Sequence, residues 1–108
     1  MKIITLHTRV NIDKLHNHLK QNLNSAFKEQ KKSEINFTIK KSGDAIEISE
    51  PVLYEGFLFR IEVKGMELWI TRSQHYVDDV NSLTVESILN DLFNDLSDKQ
   101  GTDLILEG

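Results

Sequence analysis

Residues 57–71, FLFRIEVKGMELWIT, alternate apolar and polar side chains on both sides of a Lys-Gly pair. A period of two suits a strand and not a helix, so this stretch is expected to form two antiparallel strands around a tight turn. A two-residue turn at Lys64-Gly65 pairs Val63 with Met66, Ile61 with Leu68, Phe59 with Ile70 and Phe57 with Arg72. The bulky apolar side chains then share one face. The other face carries Leu58 across from Thr71, Arg60 across from Trp69 and Glu62 across from Glu67. An outward Trp69 beside Arg60 and Leu58 is explained by an exposed cation–π contact, by cover from the C-terminal tail or the Pro51 loop, or by a contact surface for another protein.

The rest of the chain supplies partners for this hairpin. KIITLHT reads as a first strand through Ile4 and Leu6, and Asn11 is placed to cap a helix whose stripe is Ile12, Leu15, Leu19, Leu23, Ala26 and Phe27. Asp13 in its first turn and Lys28, Lys31 and Lys32 at its end suit the helix dipole. INFTIK and AIEIS form a second hairpin joined by KSGD, with Ile35, Phe37 and Ile39 on one face and Ile46 and Ile48 on its partner strand. Pro51 makes EPVLYEG a loop or edge segment, whose Val52, Leu53 and Tyr54 either fold back over the core or sit in a contact surface.

A second helix follows SQHYVDDVNS, capped by Asn81 or Ser82, with Val80 and Val85 as a hydrophobic staple in the first case. Its buried stripe is Val85, Ile88, Leu89, Leu92, Phe93 and Leu96, and Gly101 is its stop signal. The final TDLILEG is either a short strand or an apolar tail against the core. The order β-α-β-β-β-β-α predicts an α+β fold, an antiparallel sheet of four to five strands with two helices packed on one face. At 108 residues this is a single compact domain, 1–108.

No apolar run reaches the roughly 18 residues of a membrane span, and MKIITLHTRV lacks the long apolar stretch of a signal peptide, so a cytoplasmic address is expected. The absence of cysteine excludes disulfides, thiol nucleophiles and the usual structural zinc sites.

Charge is divided unevenly. Residues 1–41 hold nine bases against three acids, whereas residues 42–108 hold four bases against fourteen acids, so halves of +6 and −10 make the net −4. Either the two halves neutralise each other in the fold, or an acidic face is offered to a basic partner. Residues 78–108 alone sum to −7, and Asp91, Asp95 and Asp98 fall at i, i+4 and i+7 of the second helix. Like charges so spaced, and acids in a last turn, destabilise a helix locally, which directs attention to a role outside the fold.

Catalytic patterns are missing. His16 and His18 are two apart on a helix and point in nearly opposite directions, so they decorate the surface without chelating a metal. His75 with Asp78 and Asp79 matches no standard metal loop, and His7 has no partner visible in sequence. There is no nucleophile elbow, and the single glycine of KKSGD does not make a phosphate loop. Scattered His7, His16, Arg72 and His75 leave a nuclease-like enzyme as the least supported reading. The overall acidity argues against nucleic acid as a partner.

The expectation is therefore a non-enzymatic binding protein without cofactor or metal. Its most concrete form is a bacterial immunity or inhibitor protein that covers the active site of a basic toxin, such as a nuclease, with an acidic surface. The contact residues would be Leu58, Arg60, Trp69, Asp78, Asp79, Asp91, Asp95 and Asp98. The alternative is a self-associating structural or chaperone-like module, a homodimer joined through the outer sheet face.

Overall fold

The computed structural model describes residues 2–6, 9–32, 35–76, 78–99 and 105–107, with only the backbone of 95–99 and 105–107. Chain order is β1 (Lys2–Thr5), α1 (Ile12–Lys31), β2 (Thr38–Ser42), β3 (Ala45–Ser49), β4 (Phe57–Lys64), β5 (Glu67–Arg72), a 3-10 turn (Gln74–Tyr76), α2 (Val80–Lys99) and β6 (Ile105–Glu107). The fold is α+β, and its sheet runs β2-β3-β4-β5-β1-β6 with every neighbouring pair antiparallel. The tail thus takes the strand alternative: β6 pairs with β1, Leu106 opposite Ile4. Leu104 and Gly101 lie outside the described residues.

Both helices lie on one face of the sheet. Leu15, Leu19, Leu23 and Phe27 of α1 and Val85, Ile88, Leu89, Leu92 and Phe93 of α2 enter a single core with Ile4, Ile46, Ile48, Ile61 and Leu68. The Asn11 side chain accepts from the amides of Asp13 and Lys14, as a helix cap should. At the other end Lys32 adopts φ 54° and donates its amide to the Lys28 carbonyl, an αL stop made without glycine. Phe37 precedes β2 and meets Phe27 edge to face at 4.8 Å, while the Asn24 side chain satisfies its backbone on both sides.

His16 and His18 do more than decorate the surface. Each is half-buried and ties α1 to a different neighbour: His16 Nε2 lies 3.0 Å from the Ile39 carbonyl, and His18 Nε2 lies 3.2 Å from that of Leu92 in α2. A carbonyl only accepts, so each Nε2 carries the proton, which leaves His18 Nδ1 to face the Asn22 amide at 3.3 Å. The opposite directions expected of residues two apart on a helix are what let the pair serve two neighbours.

Two features of the sheet differ from the expectation. The β4–β5 turn is Gly65-Met66, with Lys64 opposite Glu67, Glu62 opposite Trp69 and Arg60 opposite Thr71. Gly65 has φ +63° and therefore stands at the first central position, where a two-residue turn of the II′ kind places its glycine. The partners move by two residues, so the faces are kept while the cross-strand pairs change. Second, the β3–β4 register shifts: Ile48 faces Phe59 but Ser49 faces Phe57, leaving Leu58 as an extra residue. Such a bulge turns consecutive side chains toward one side, and Leu58 and Phe59 are both buried.

Candidate functional site

The outer sheet face comes first because the sequence directs attention to it. Leu58 is not on it; the bulge sends it into the core, fully buried. Arg60 does not stack on Trp69. It is held by Glu47 on β3 at 2.7 Å and reaches Glu62 at 3.9 Å. Trp69 does face outward, between buried Leu68 and Ile70, but it is half-buried, with Lys64 Nζ 3.8 Å from its ring centroid and its indole N–H donated to Glu67 at 3.0 Å. Ile3 lies opposite it on β1. Among the described residues, the chain's own Lys64 partners the indole. Among the described residues this face carries paired charges around Trp69 and Ile3, and the Leu58 expected beside the indole is in the core instead.

The acids of the C-terminal half divide into used and unused. Asp79 is used: its Oδ2 accepts from the Ser82 amide at 2.9 Å, and its carbonyl accepts from the Leu83 amide at 3.0 Å, which makes it the cap of α2 in place of Asn81 or Ser82. Val80 is then the first residue of the helix and stands 60% exposed, so it does not staple to Val85. Glu86 is matched by Arg72 at 3.4 Å. Asp78 and Asp91 are exposed and have no ion pair with any described residue. The Asp95 and Asp98 side chains lie outside the described residues.

The ion pairs seen among the described residues lie within each charged half. Lys41 bonds Asp13 within the basic half, and Arg60–Glu47, Arg60–Glu62 and Arg72–Glu86 all lie within the acidic half. Lys41 holds the Asp13 carboxyl below its ordinary range through that hydrogen bond and through its charge. On α2 the exposed residues Val80, Leu83, Ser87, Asp91 and Asn94 recur at spacings of three and four, forming one solvent stripe that begins apolar and turns acidic.

A part-buried polar network fixes the start of that stripe. The Tyr54 hydroxyl donates to Asp79 Oδ2 at 3.0 Å and accepts from Asn81 Nδ2 at 2.9 Å, while its ring packs edge to face on Tyr76 at 4.9 Å. The Tyr76 hydroxyl accepts from the Glu55 amide at 2.8 Å. Segment 50–56 and the N-terminus of α2 are thereby joined. Burial pushes the Tyr54 hydroxyl pKa up; the Asn81 bond opposes this, and the bond and charge of Asp79 add to it. A raised folded pKa means that the stabilisation is complete below the unfolded tyrosine pKa and is lost as pH rises through the folded one. Alkaline unfolding followed by circular dichroism should therefore show a stability loss above about pH 10 that Tyr54→Phe weakens.

Sequence reasoning did not identify Val80 and Leu83 as surface apolar residues. The available signal was the absence of Leu83 from the buried stripe of α2. His75 is exposed, its ring centroid 6.1 Å from that of Tyr76, and His7 lies outside the described residues. Among the described residues no group of three or more His, Asp or Glu is placed to hold a metal, and no helix is long and apolar enough to cross a membrane. No family model, curated protein or solved structure matches the chain.

Proposed function

We propose that this chain is a non-enzymatic binding protein of the immunity or inhibitor type, which neutralises a basic toxin, such as a nuclease of a competing bacterium, by laying an acidic surface over its active site. The observation that carries the reading is the solvent stripe of α2, where Asp91 stands exposed, with no ion pair to any described residue, one helical turn beyond Ser87. Positions 95 and 98, at i+4 and i+7 from Asp91 on the same helix, are also aspartates. Acids at i, i+4 and i+7 weaken their own helix, and acids of this kind are suited to meeting a cationic surface, where they speed encounter and exclude wrong partners.

The test is co-expression with the product of the neighbouring reading frame, followed by purification of the complex and assay of the toxin's activity. Association should slow as salt rises, because steering by acids is screened over a Debye length of about 8–10 Å. Replacing Asp91, Asp95 and Asp98 together by Asn should lower the association rate by about tenfold and flatten its salt dependence, with little change in the dissociation rate. Absence of a complex, or association indifferent to salt, refutes the reading.

A further inference from the structure

We infer that the 50–56 turn is the anchor of this contact surface, and that its occupant is a cationic protein segment with an apolar side chain at its centre. The inference rests on the reading of the chain as a binding protein for a basic partner. Val52 is 88% exposed and Leu53 54%. Neither exposure follows from a loose loop. The Glu50 carboxylate accepts from the amides of Val52 and Leu53 at 3.3 and 3.0 Å, and the Glu50 carbonyl accepts from those of Leu53 and Tyr54 at 3.2 and 2.8 Å. Tyr54 then enters the core, 8% exposed. Serine at 52 and 53 would leave all of these bonds in place, so the turn itself does not require the aliphatic groups, and Val52 in particular gains little from the fold. A hydrogen-bonded turn that presents them is preorganised for contact, which removes part of the ordering cost of binding.

The neighbouring segment extends the patch. Val80 is 60% exposed and Leu83 45%, three residues apart on α2, and the Tyr54–Asp79–Asn81 bonds tie that first turn to the 50–56 segment. Four of the five large apolar residues exposed among the described residues thus gather at one end of the fold; Met66, in the β4–β5 turn at the far end of β4, is the fifth. The two segments that carry them are acidic, and the neighbouring Arg72 is matched by Glu86. No lysine or arginine occurs in residues 50–59 or 73–83, whereas Glu55 and Asp78 are exposed and Glu50 is half-buried. An acidic partner would be repelled, and a purely polar one would leave the aliphatic centre unused. A basic segment around an apolar residue matches both features.

A random-peptide library displayed on phage and selected against the purified chain tests this without knowledge of the natural partner. The expected peptides carry Lys or Arg on both sides of an apolar residue. Their affinity should fall about tenfold or more when Val52→Ser and Leu53→Ser are combined, and similarly for Leu83→Ser, while Trp69→Ala leaves it unchanged. Thermal melts of the same variants check that each is folded. No enriched peptide, enrichment of acidic peptides, or binding that survives the Val52 and Leu53 changes overturns the inference. The two readings fail separately. A chain that neutralises a basic toxin equally well with serine at 52 and 53 refutes the anchor alone. A chain that selects these peptides but protects against no toxin refutes the toxin reading alone.

Discussion

Leu58→Ala is expected to lower the unfolding free energy by about 2–5 kcal/mol, as measured by urea denaturation, and the melting temperature by roughly 10 °C or more. The side chain is fully buried, so truncation removes its transfer free energy and leaves a cavity among Phe59, Ile61 and the helices above them. Trp69→Ala deletes a larger group and should cost only about 1–2 kcal/mol, because the ring is half-buried and its cation–π contact with Lys64 is at the surface. Strict alternation around the β4–β5 turn would reverse that order, with Leu58 the tolerant position. The ranking of the two variants therefore reports on the bulge directly. A Leu58→Ala protein as stable as the parent would mean that the bulge is absent and that Leu58 belongs to the outer face.

The contrast between these residues shows which parts of the fold can be read locally. Helix α1 is legible because its determinants are neighbours in sequence: Asn11 reaches the amides two and three residues ahead, and the buried stripe follows the helical repeat. The stripe of α2 from Val85 to Phe93 and the alternation of β5 are legible for the same reason, while the side chain of Leu96 lies outside the described residues. The run Phe57-Leu58-Phe59 is not, because three consecutive apolar residues fit no strand pattern, and what resolves them is the shifted register against β3. The partner of Trp69 is also a matter of register. A turn displaced by one residue keeps every face but replaces Arg60 with Glu62 across from the indole and brings Lys64 over it.

The candidate contact surface was legible in composition but not in position. The acidity of the C-terminal half is what suggests a basic partner, but composition does not show that Asp79 is engaged within the fold as a cap and hydrogen-bond acceptor. Pro51 marks 50–56 as irregular, and three apolar residues in a row leave open whether the segment turns inward or outward. The structure divides them, with Tyr54 inward and Val52 and Leu53 outward. That division depends on a hydrogen-bond acceptor 25 residues away in sequence, which no local pattern can announce.

Asp79→Ala is expected to be the most damaging change at the surface end of the fold, at about 2–4 kcal/mol of unfolding free energy. Loss of the cap alone accounts for about 0.5–2 kcal/mol, and loss of a charge-assisted acceptor for the Tyr54 hydroxyl for about 1.5–3, with incomplete additivity because both bonds end on the same oxygen. Asp78→Ala, one residue earlier and exposed, should stay within about 0.5 kcal/mol of the parent. The shared oxygen gives a sharper comparison. In Asp79→Asn the amide oxygen can accept from both the Ser82 amide and the Tyr54 hydroxyl, so most of the stability should return while the negative charge does not. Removing that charge removes one of the influences that raise the Tyr54 pKa, and the alkaline loss of stability should therefore become shallower in the Asn variant. If Asp79→Ala and Asp78→Ala prove equally mild, the two segments carrying the exposed apolar residues are not held together by this carboxylate, and the anchor would lack the rigidity that makes it fit to bind.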